Sequence, residues 1–404
     1  MTTAEEVPNY PFKQEEALRP PAELERLRGD CPISRVRLAS GDEALLVTRY
    51  DDVRALLADP RFTRRLTAPD AARLSASETP SLFNRGGAMA QLMQGGGHLR
   101  WRRMMGRTFT AKRVNAMRPR VEELAHSLVG DMLAGGQPAD LNAALGFPLP
   151  VFVICELLGV PADARDRFAH WSDAMLNLNR YTEDELITAG FEFHEFMAAH
   201  VQLKRAHPGD DLLSELTTVA DAEDGRLSEE ELIGTGIGLL VAGHETTANM
   251  IGKMMAMLLA ERRHWERLVA DRTLIPTAVE ESLRVDPNQG IGLPRYISED
   301  IEVAGRKIPA GSTVLNSMAA ANRDAEAFTD PDEMVLDRRP NPHLTFGVGL
   351  HACLGQALAR VELQSALTVL TERVPTLALA VPPESLRRKE GLIVGGLREL
   401  PVQW

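Results

Sequence analysis

The chain has 404 residues, of which 44% are hydrophobic, so it is long enough to bury a large core. Its formal net charge of −12 argues against a nucleic-acid binder, because phosphate recognition requires an excess of clustered Lys and Arg. No linker-like tract or fixed-period repeat interrupts the sequence, and residues 1–404 are therefore predicted to form one domain.

Cysteine usage and the start of the chain indicate the compartment. Cys31, Cys155 and Cys353 show no CxxC spacing, which fits a reducing cytoplasm better than a disulfide framework or a zinc site. The first residues are acidic and lack the basic and apolar regions of a signal peptide. No apolar segment approaches the roughly 20 residues that a membrane span requires. We expect a cytoplasmic protein without a membrane partner.

The first predicted element is a β-hairpin. Its strands, 36–38 and 45–47, flank the turn-forming sequence Ser40-Gly41-Asp42. From about residue 50 to residue 284, apolar residues recur every three or four positions, which predicts a series of helices with a break at Gly135-Gly136. Helices are thus expected to dominate the middle of the chain.

The clearest predicted helix begins at Ser228. Ser228 and Glu231 have the spacing of a capping box, and no strong breaker follows until the charged segment that starts at Glu261. At 1.5 Å per residue this helix would be roughly 50 Å long, enough to cross the whole molecule.

After residue 284 the pattern changes to short strands and turns. Strands are predicted at 296–297, 301–303 and 313–315, and a last helix is predicted from Leu354 to about Arg373. The predicted fold class is therefore mainly α with a smaller β portion.

The most specific segment is a glycine-bearing loop, residues 346–355, that leads Cys353 into the first turn of the last predicted helix. A sulfur at a helix N-terminus faces the positive end of the helix dipole, which predicts a lowered thiol pKa. A structural cysteine in a glycine-rich turn is the alternative. The segment resembles the haem-binding loop of the cytochrome P450 family at Phe346, Gly347, Gly349, His351, Cys353 and Gly355.

This resemblance runs from the N-terminal hairpin to the last helix. It implies the cytochrome P450 fold, with haem b between the long central helix and the cysteine loop. Cys353 would be the iron ligand, a cysteinate that favours cleavage of an O–O bond on the opposite face. The family positions imply cofactor contacts from His98, Arg102, Arg295, His351, Ala242, Gly243, Phe346 and Gly347. The sequence Gly95-Gly96-Gly97 before His98 departs from the acidic or proline-containing approach that is common in the family.

A second constellation, residues 242–247, lies in the middle of the central helix. A carboxylate and two hydroxyls in an apolar run are costly unless they meet water or a ligand, and threonine can bend a helix by bonding to the preceding turn. The segment resembles the acid–alcohol motif of the family, which implies that Thr246 assists dioxygen activation and that Glu245 relays protons. The alternative is that Glu245 lies on a solvated stripe. His244 has no second ligand at metal-binding spacing.

A third motif pairs an acid and a base three residues apart. Glu281 and Arg284 would be neighbours on a helix surface, where such pairs are usually exposed and weak. The spacing resembles the ExxR motif of the family, with Arg338 as the third member of a structural network that supports the cysteine loop.

Dioxygen chemistry needs two electrons, and the sequence contains neither a flavin domain nor an iron–sulfur cysteine pattern. The resemblance implies a ferredoxin partner, supplied by a ferredoxin reductase with NAD(P)H. A basic docking patch is predicted, with scattered surface charge as the alternative, from Arg102, Arg103, Arg107, Lys112 and Arg113.

The substrate is predicted to be a medium-sized, partly polar organic molecule. Family positions place the pocket at Phe83, Met89, Leu240, Val241, Ile291, Leu293, Ile393 and Val394. The predicted reaction is insertion of one oxygen atom from dioxygen into a C–H bond during natural-product biosynthesis. The alternatives are oxidative C–C or C–N coupling without oxygen insertion, a peroxide-driven enzyme, and a haem sensor or carrier.

Overall fold

The computed structural model describes residues 7–66, 68–74, 95–161, 164–176, 180–218, 227–287, 290–389 and 394–404. Within these ranges the α-helices are α1 (Ala22–Asp30), α2 (Tyr50–Ala58), α3 (Gly95–Thr108), α4 (Ala111–Ala116), α5 (Arg118–Gly135), α6 (Pro148–Leu158), α7 (Arg165–Leu176), α8 (Glu183–Ala206), α9 (Leu212–Thr218), α10 (Glu229–Ala260), α11 (Arg262–Ala270), α12 (Ile275–Val285), α13 (Met318–Ala321) and α14 (Gln356–Arg373). A π-helical turn, Asn142–Gly146, precedes α6.

The strands are β1 (Ile33–Arg37), β2 (Glu43–Val47), β3 (Phe62–Thr63), β4 (Ala139–Asp140), β5 (Leu293–Ile297), β6 (Ile301–Val303), β7 (Arg306–Ile308), β8 (Thr313–Asn316), β9 (Ala378–Leu379) and β10 (Pro401–Gln403). The largest sheet has the order β1-β2-β8-β5-β3, and its β2–β8 pair is parallel. Two smaller sheets have the orders β4-β10-β9 and β6-β7. The prediction of a mainly α protein with a smaller β portion is confirmed.

Helix α10 is the central helix, and it begins where the capping box predicted. The Ser228 hydroxyl accepts a hydrogen bond from the Glu231 N–H at 3.2 Å, and the Glu231 carboxylate accepts one from the Ser228 N–H at 2.7 Å. The helix then continues to Ala260, just before the predicted end at Glu261. Two orphan donors at its N-terminus are thus satisfied by a purely local signal.

The central helix belongs to both of the largest apolar clusters among the described residues. Its C-terminal half packs with α5 and α14, through side chains that include Ile251, Met254, Met255, Val121, Ala125 and Leu367. Its N-terminal half packs with α7 and α8, through side chains that include Ile237, Leu240, Val241, Trp171 and Phe193. Burial on most sides explains why this helix is so apolar.

The boundaries of two predicted elements shift. The hairpin strands end at Arg37 and begin at Glu43, because the Leu38 N–H is used to close the turn on the Asp42 carbonyl at 2.9 Å. The last helix begins at Gln356 rather than at Leu354. Its start is delayed because the Cys353 N–H bonds to the Phe346 carbonyl at 2.8 Å, which closes the loop before the helix. None of the helices in the described ranges has the length and apolarity needed to cross a membrane.

Candidate active site

The cysteine loop packs on α2 through a glycine. Gly349 has φ +73°, a left-handed conformation that glycine adopts without strain. A Cβ at this position would lie 2.9 Å from both the Ala58 Cα and the Leu57 carbonyl oxygen. Because these are backbone atoms that cannot move aside, Gly349 is required for the close approach of the loop to α2. The neighbouring Gly347 also has a positive φ, +64°.

Cys353 is surrounded by protein atoms, yet the residue has a large solvent-accessible surface. These two observations together mean that Cys353 borders an interior recess. Burial raises the pKa of its thiol, while the Gly355 N–H and the guanidinium groups of Arg102 and Arg64 oppose this shift. The predicted lowering of the pKa by a helix N-terminus is therefore wrong for the protein alone. The helix starts three residues later, and desolvation outweighs the nearby donors and cations.

Cationic and histidine side chains gather beside this recess. The ring centroids of His98 and His351 lie 4.2 Å apart, and Arg295 is 2% exposed. Burial, together with the positive charges of Arg64, Arg102 and Arg295, lowers the pKa of His98 to about 4 and that of His351 to about 3. Burial and then Arg64 lower the pKa of Arg295 to about 9. The charged neighbours that shift these three pKa values are all cationic.

This cluster fits an anionic partner. Two buried nitrogens in it, Arg295 Nε and His351 Nδ1, have no hydrogen-bond partner among the described residues. Buried cations of one sign are costly unless a counter-charge pairs with them, and the two propionates of a haem carry such charges. The residues present therefore fit a haem with its propionates at the cluster. Arg64 belongs to the cluster, although no motif in the sequence indicates it.

One face of the central helix is open at the middle of its length. Between residues 231 and 260, Ala242 is the only exposed residue. Thr246 lies one turn further on, and its hydroxyl donates to the Ala242 carbonyl at 2.9 Å, as predicted for a threonine bonded to the preceding turn. Gly243 differs from expectation. Its Cβ would lie 2.8 Å from the Ile154 side chain, so its small size permits packing of α10 on α6 rather than clearance for a cofactor.

Glu245 is buried and partnered, so the alternative of a solvated stripe is wrong. It is 5% exposed, and its Oε1 accepts a hydrogen bond from Asn249 Nδ2 at 3.0 Å. Lys389 Nζ lies 3.6 Å from the same oxygen, and His244 Nε2 lies 3.8 Å from Oε2. In the part of the chain that the structure describes, no three His, Cys, Asp or Glu side chains form a potential metal site.

The fully buried Glu281 carboxylate is the centre of a hydrogen-bond network. Arg284 donates two hydrogen bonds to it, both at 2.8 Å, and Arg338 Nε donates two more at 3.0 and 3.1 Å. The Val335 N–H and the Asn341 amide complete its partners at 2.8 and 3.1 Å. Burial alone would raise the pKa of Glu281, but these bonds lower it.

Two further sets of contacts join α12 to the cysteine loop. Thr345, next to Phe346, donates its hydroxyl hydrogen to the Leu283 carbonyl at 2.7 Å. Glu280 bonds His343 at 3.1 Å and Arg360 at 2.7 Å. Burial favours a higher pKa for Glu280, yet these partners lower it to about 2.

The Arg360 guanidinium also stacks over the Phe346 ring at 4.5 Å, so Glu280 and Arg360 take part in supporting the loop. Neither residue was predicted from the sequence, because neither belongs to a motif. The one available signal was the position of Glu280 next to Glu281.

Five of the eight residues predicted to form the substrate pocket lie in the described part of the chain. Phe83, Met89 and Ile393 lie outside the described residues. Leu240 and Val241 are each 1% exposed and pack in the apolar core, so their assignment to a pocket is wrong. On the helix they point away from the open face at Ala242, because successive residues are rotated by about 100°.

The three remaining pocket residues have different environments. Ile291 is 4% exposed and packs under the large sheet with Leu46 and Leu315, so it is also a core residue. Leu293 is half-buried beside the cysteine loop, with its Cδ1 3.6 Å from where a Gly347 Cβ would lie. Val394 is half-buried against the apolar cluster of α7, α8 and α10.

The predicted basic patch divides into inward and outward residues. Arg102 is half-buried near Cys353, and Arg113 forms an ion pair with Glu215. Arg103, Arg107 and Lys112 are exposed, as expected for a docking surface. The sequence could not distinguish these environments, because α3 and α4 meet at Phe109 and Thr110 and present different faces.

Comparisons with known proteins identify the family of the chain. The family model "Cytochrome P450" matches residues 184–374. Mycinamicin IV hydroxylase/epoxidase of Micromonospora griseorubida is 44% identical over 403 residues, which is 100% of both chains. Nocardicin C N-oxygenase of Nocardia uniformis subsp. tsuyamanensis is 42% identical and covers 98% of both.

Solved structures give the same result. The mixed-function P450 MycG superposes with a TM-score of 0.89 at 43% identity, covering 99% of this chain and 100% of that one. SgvP, described as a candidate thioether synthase involved in the tailoring step of griseoviridin, gives a TM-score of 0.92 at 40% identity with the same coverage. The chain belongs to the cytochrome P450 family. Its predicted fold and its predicted monooxygenase function are confirmed, and the family implies a haem cofactor.

Proposed function

We propose that this monooxygenase inserts one atom of dioxygen into a C–H bond of a medium-sized natural product, with Cys353 as the ligand of its haem iron. The observation that supports this most is a thiol beside an interior recess, next to a cluster of buried arginine and histidine side chains in which two nitrogens lack a hydrogen-bond partner among the described residues. Relatives of the chain are named for oxidations of mycinamicin IV and nocardicin C.

The proposed cofactor contacts use side chains from four parts of the fold. The Cys353 sulfur would hold the iron, and His98, Arg102, Arg295 and His351 would pair with the propionates, with Phe346, Gly347 and Ala242 along the cofactor. When bound, a haem with a cysteinate ligand supplies an iron that binds dioxygen and activates it with two electrons. The chain itself supplies the cationic cluster, the thiol and the buried network around Glu281 that holds the loop.

Thr246 and Glu245 are proposed to manage protons. The Thr246 hydroxyl donates to the Ala242 carbonyl, so the lone pairs of its oxygen can accept a hydrogen bond from water on the open face of the helix. Glu245 is held by Asn249 and Lys389 and can exchange protons between this helix and water beyond it. Delivery of protons by these residues is what a dioxygen-driven enzyme needs and a peroxide-driven enzyme does not.

Electrons are proposed to come from a ferredoxin, reduced by a ferredoxin reductase with NAD(P)H. Arg103, Arg107 and Lys112 give the α3–α4 surface positive charge within a chain of net charge −12. Leu99, which follows His98, and Leu350, which precedes His351, are each 47% exposed. An acidic partner would meet both cations and apolar contacts there.

Oxidative coupling remains a second candidate, because SgvP, a candidate thioether synthase, superposes on this chain with a TM-score of 0.92. The mass of the product distinguishes oxygen insertion from oxidative coupling. Oxygen insertion adds one oxygen atom, whereas coupling removes two hydrogen atoms and forms a new bond without oxygen.

The first experiment is the carbon monoxide difference spectrum of the reduced protein. Wild type is expected to show the red-shifted Soret band of a cysteinate-ligated haem, and Cys353→Ala is expected to lose it, because only a thiolate ligand produces that shift. Cys155→Ala is the matched control, since Cys155 is buried in the apolar core. A red-shifted band that persists in Cys353→Ala would show that another group binds the iron.

The role of Thr246 is tested by Thr246→Ala with Thr247→Val as control. We expect Thr246→Ala to retain haem but to divert most reducing equivalents to hydrogen peroxide, with product per NAD(P)H falling roughly 10- to 100-fold. The measurement is the ratio of product and peroxide to NAD(P)H consumed. Unchanged coupling would contradict the proton role of Thr246.

A further inference from the structure

A short hairpin near the C-terminus packs directly on the central helix. Its two sides, 387–389 and 396–398, pair through a β-bridge between Arg388 and Leu397. The Lys389 N–H bonds the Gly396 carbonyl at 2.8 Å, and the Arg398 N–H bonds the Arg387 carbonyl at 2.9 Å. These bonds fix the backbone of Lys389 relative to the opposite side of the hairpin.

Two contacts hold this hairpin against α10. A Cβ on Gly396 would lie 2.2 Å from Asn249 Oδ1, so glycine is needed for the approach. Asp286 bonds Arg388 of the hairpin at 2.6 Å and Lys253 of the central helix at 2.5 Å. Because the three side chains are largely buried, breaking either ion pair would leave a buried charge without a partner, which is costly.

Lys389 reaches from the hairpin to the proposed proton carrier. Its Nζ lies 3.6 Å from Glu245 Oε1, the oxygen that Asn249 also contacts. His244, the other titratable neighbour of Glu245, has its pKa lowered by burial and bonds the Leu240 carbonyl through Nδ1 at 2.8 Å. A neutral ring that donates from Nδ1 has no proton on Nε2. Lys389 is therefore the cation that faces Glu245 among the described residues.

Lys389 also borders water. It lines a cleft of about 550 Å³, together with Arg388, Asp286, Gly395 and the segment from Tyr10 to Leu24. The Lys389 side chain is 36% exposed, whereas the Glu245 side chain is 6% exposed. The Lys389 side chain is thus partly exposed at the cleft and places its ammonium group beside the buried carboxylate.

We propose that Lys389 is a positioning residue that keeps the Glu245 carboxylate turned toward this cleft, from which water replaces the protons that Glu245 delivers. The inference rests on the proton role proposed for Glu245. Insertion of one oxygen atom consumes one dioxygen, two electrons and two protons and releases one water. Each proton that leaves Glu245 is replaced by one from bulk solvent, which the water at the Lys389 side relays without net change, so the pair returns to its starting charge.

The test compares Lys389→Met and Lys389→Arg with Arg387→Met in the haem-loaded enzyme with its reductase system. Arg387 is the matched control, because it lines the same cleft but its side chain bonds, among the described residues, only the carbonyls of Glu384 and Leu386. For Lys389→Met we expect kcat for product to fall roughly tenfold with KM unchanged, and the solvent deuterium isotope effect on kcat to rise. Lys389→Arg should recover most of the rate, and Arg387→Met should match wild type.

Haem content and substrate affinity, measured by spectral titration, show that each variant is folded. Wild-type kcat and isotope effect in Lys389→Met would overturn the inference, as would an equal loss in Arg387→Met. Glu245→Gln separates the two levels of the argument. If Glu245→Gln loses activity and Lys389→Met does not, only the role of Lys389 fails. If Glu245→Gln behaves as wild type, the proposed proton role of Glu245 fails, and the role of Lys389 fails with it.

Discussion

At the residue scale, Glu362 on α14 is a buried acid outside the proposed chemistry. Neither carboxyl oxygen has a hydrogen bond of good geometry among the described residues. Burial raises its pKa well above 4.5, and the nearby Thr247 hydroxyl opposes this less. A carboxyl group in such a place stays protonated in the folded protein. The contribution of Glu362 to the free energy of unfolding must therefore depend on pH.

The sign follows from proton binding. Above pH 4.5 the unfolded chain releases the Glu362 proton while the folded chain keeps it, so stability falls as pH rises, by about 1.4 kcal/mol per pH unit, until the folded form also ionises. Glu362→Gln should remove this part of the slope. The measurement is the free energy or temperature of unfolding between mildly acidic and alkaline pH, relative to wild type.

Glu372→Gln is the control, because Glu372 lies on the same helix with its side chain 50% exposed. The amide that Glu362→Gln introduces adds an offset that does not vary with pH, so the slope alone is diagnostic. Parallel curves for Glu362→Gln and wild type would show that the folded carboxyl is already ionised.

Residues that act through a local pattern were predictable from sequence. Cys353 follows a loop that contains Gly347 and Gly349, and Glu245 and Thr246 interrupt an apolar helix. Arg64 and Lys389 were not predictable, because each reaches its position through contacts between segments far apart in the chain. Leu240 and Val241 were misassigned because neighbouring positions on a helix face different surroundings.

At the element scale, the start of the central helix could be predicted because a capping box is a local signal. The start of α14 could not, since the backbone bond between Cys353 and Phe346 belongs to the folded loop. The five-stranded sheet was also beyond prediction, because its parallel β2–β8 pair joins strands separated by more than 250 residues of sequence.

The contact between the cysteine loop and α2 gives a prediction at this scale. Gly349→Ala should destabilise the protein by about 1–3 kcal/mol, because alanine is strained at positive φ and its Cβ overlaps backbone atoms of α2. The measurements are the melting temperature and the fraction of protein that retains haem. Gly106→Ala, inside α3 with no heavy atom within 4 Å of the added Cβ, should be neutral or slightly stabilising. Equal melting temperatures for Gly349→Ala and wild type would mean that the loop can move away from α2.

At the scale of the whole molecule, the central helix joins the two largest apolar clusters, and its middle carries the acid and the hydroxyl of the proposed site. Because the helix is buried on both sides of this segment, few of its side chains are accessible. Ala242 and Thr246 lie on the accessible face. Because both clusters depend on this one helix, we propose that residues 1–404 behave as a single domain.

Asp286 closes α12, the helix whose Glu281 and Arg284 support the cysteine loop, and it also binds Lys253 and Arg388. The hairpin and the loop support are thus attached to the same short helix. For protein engineering, this means that the hairpin is not an independent module. A chimera that takes its hairpin from a relative should take residues 253 and 286 from the same parent.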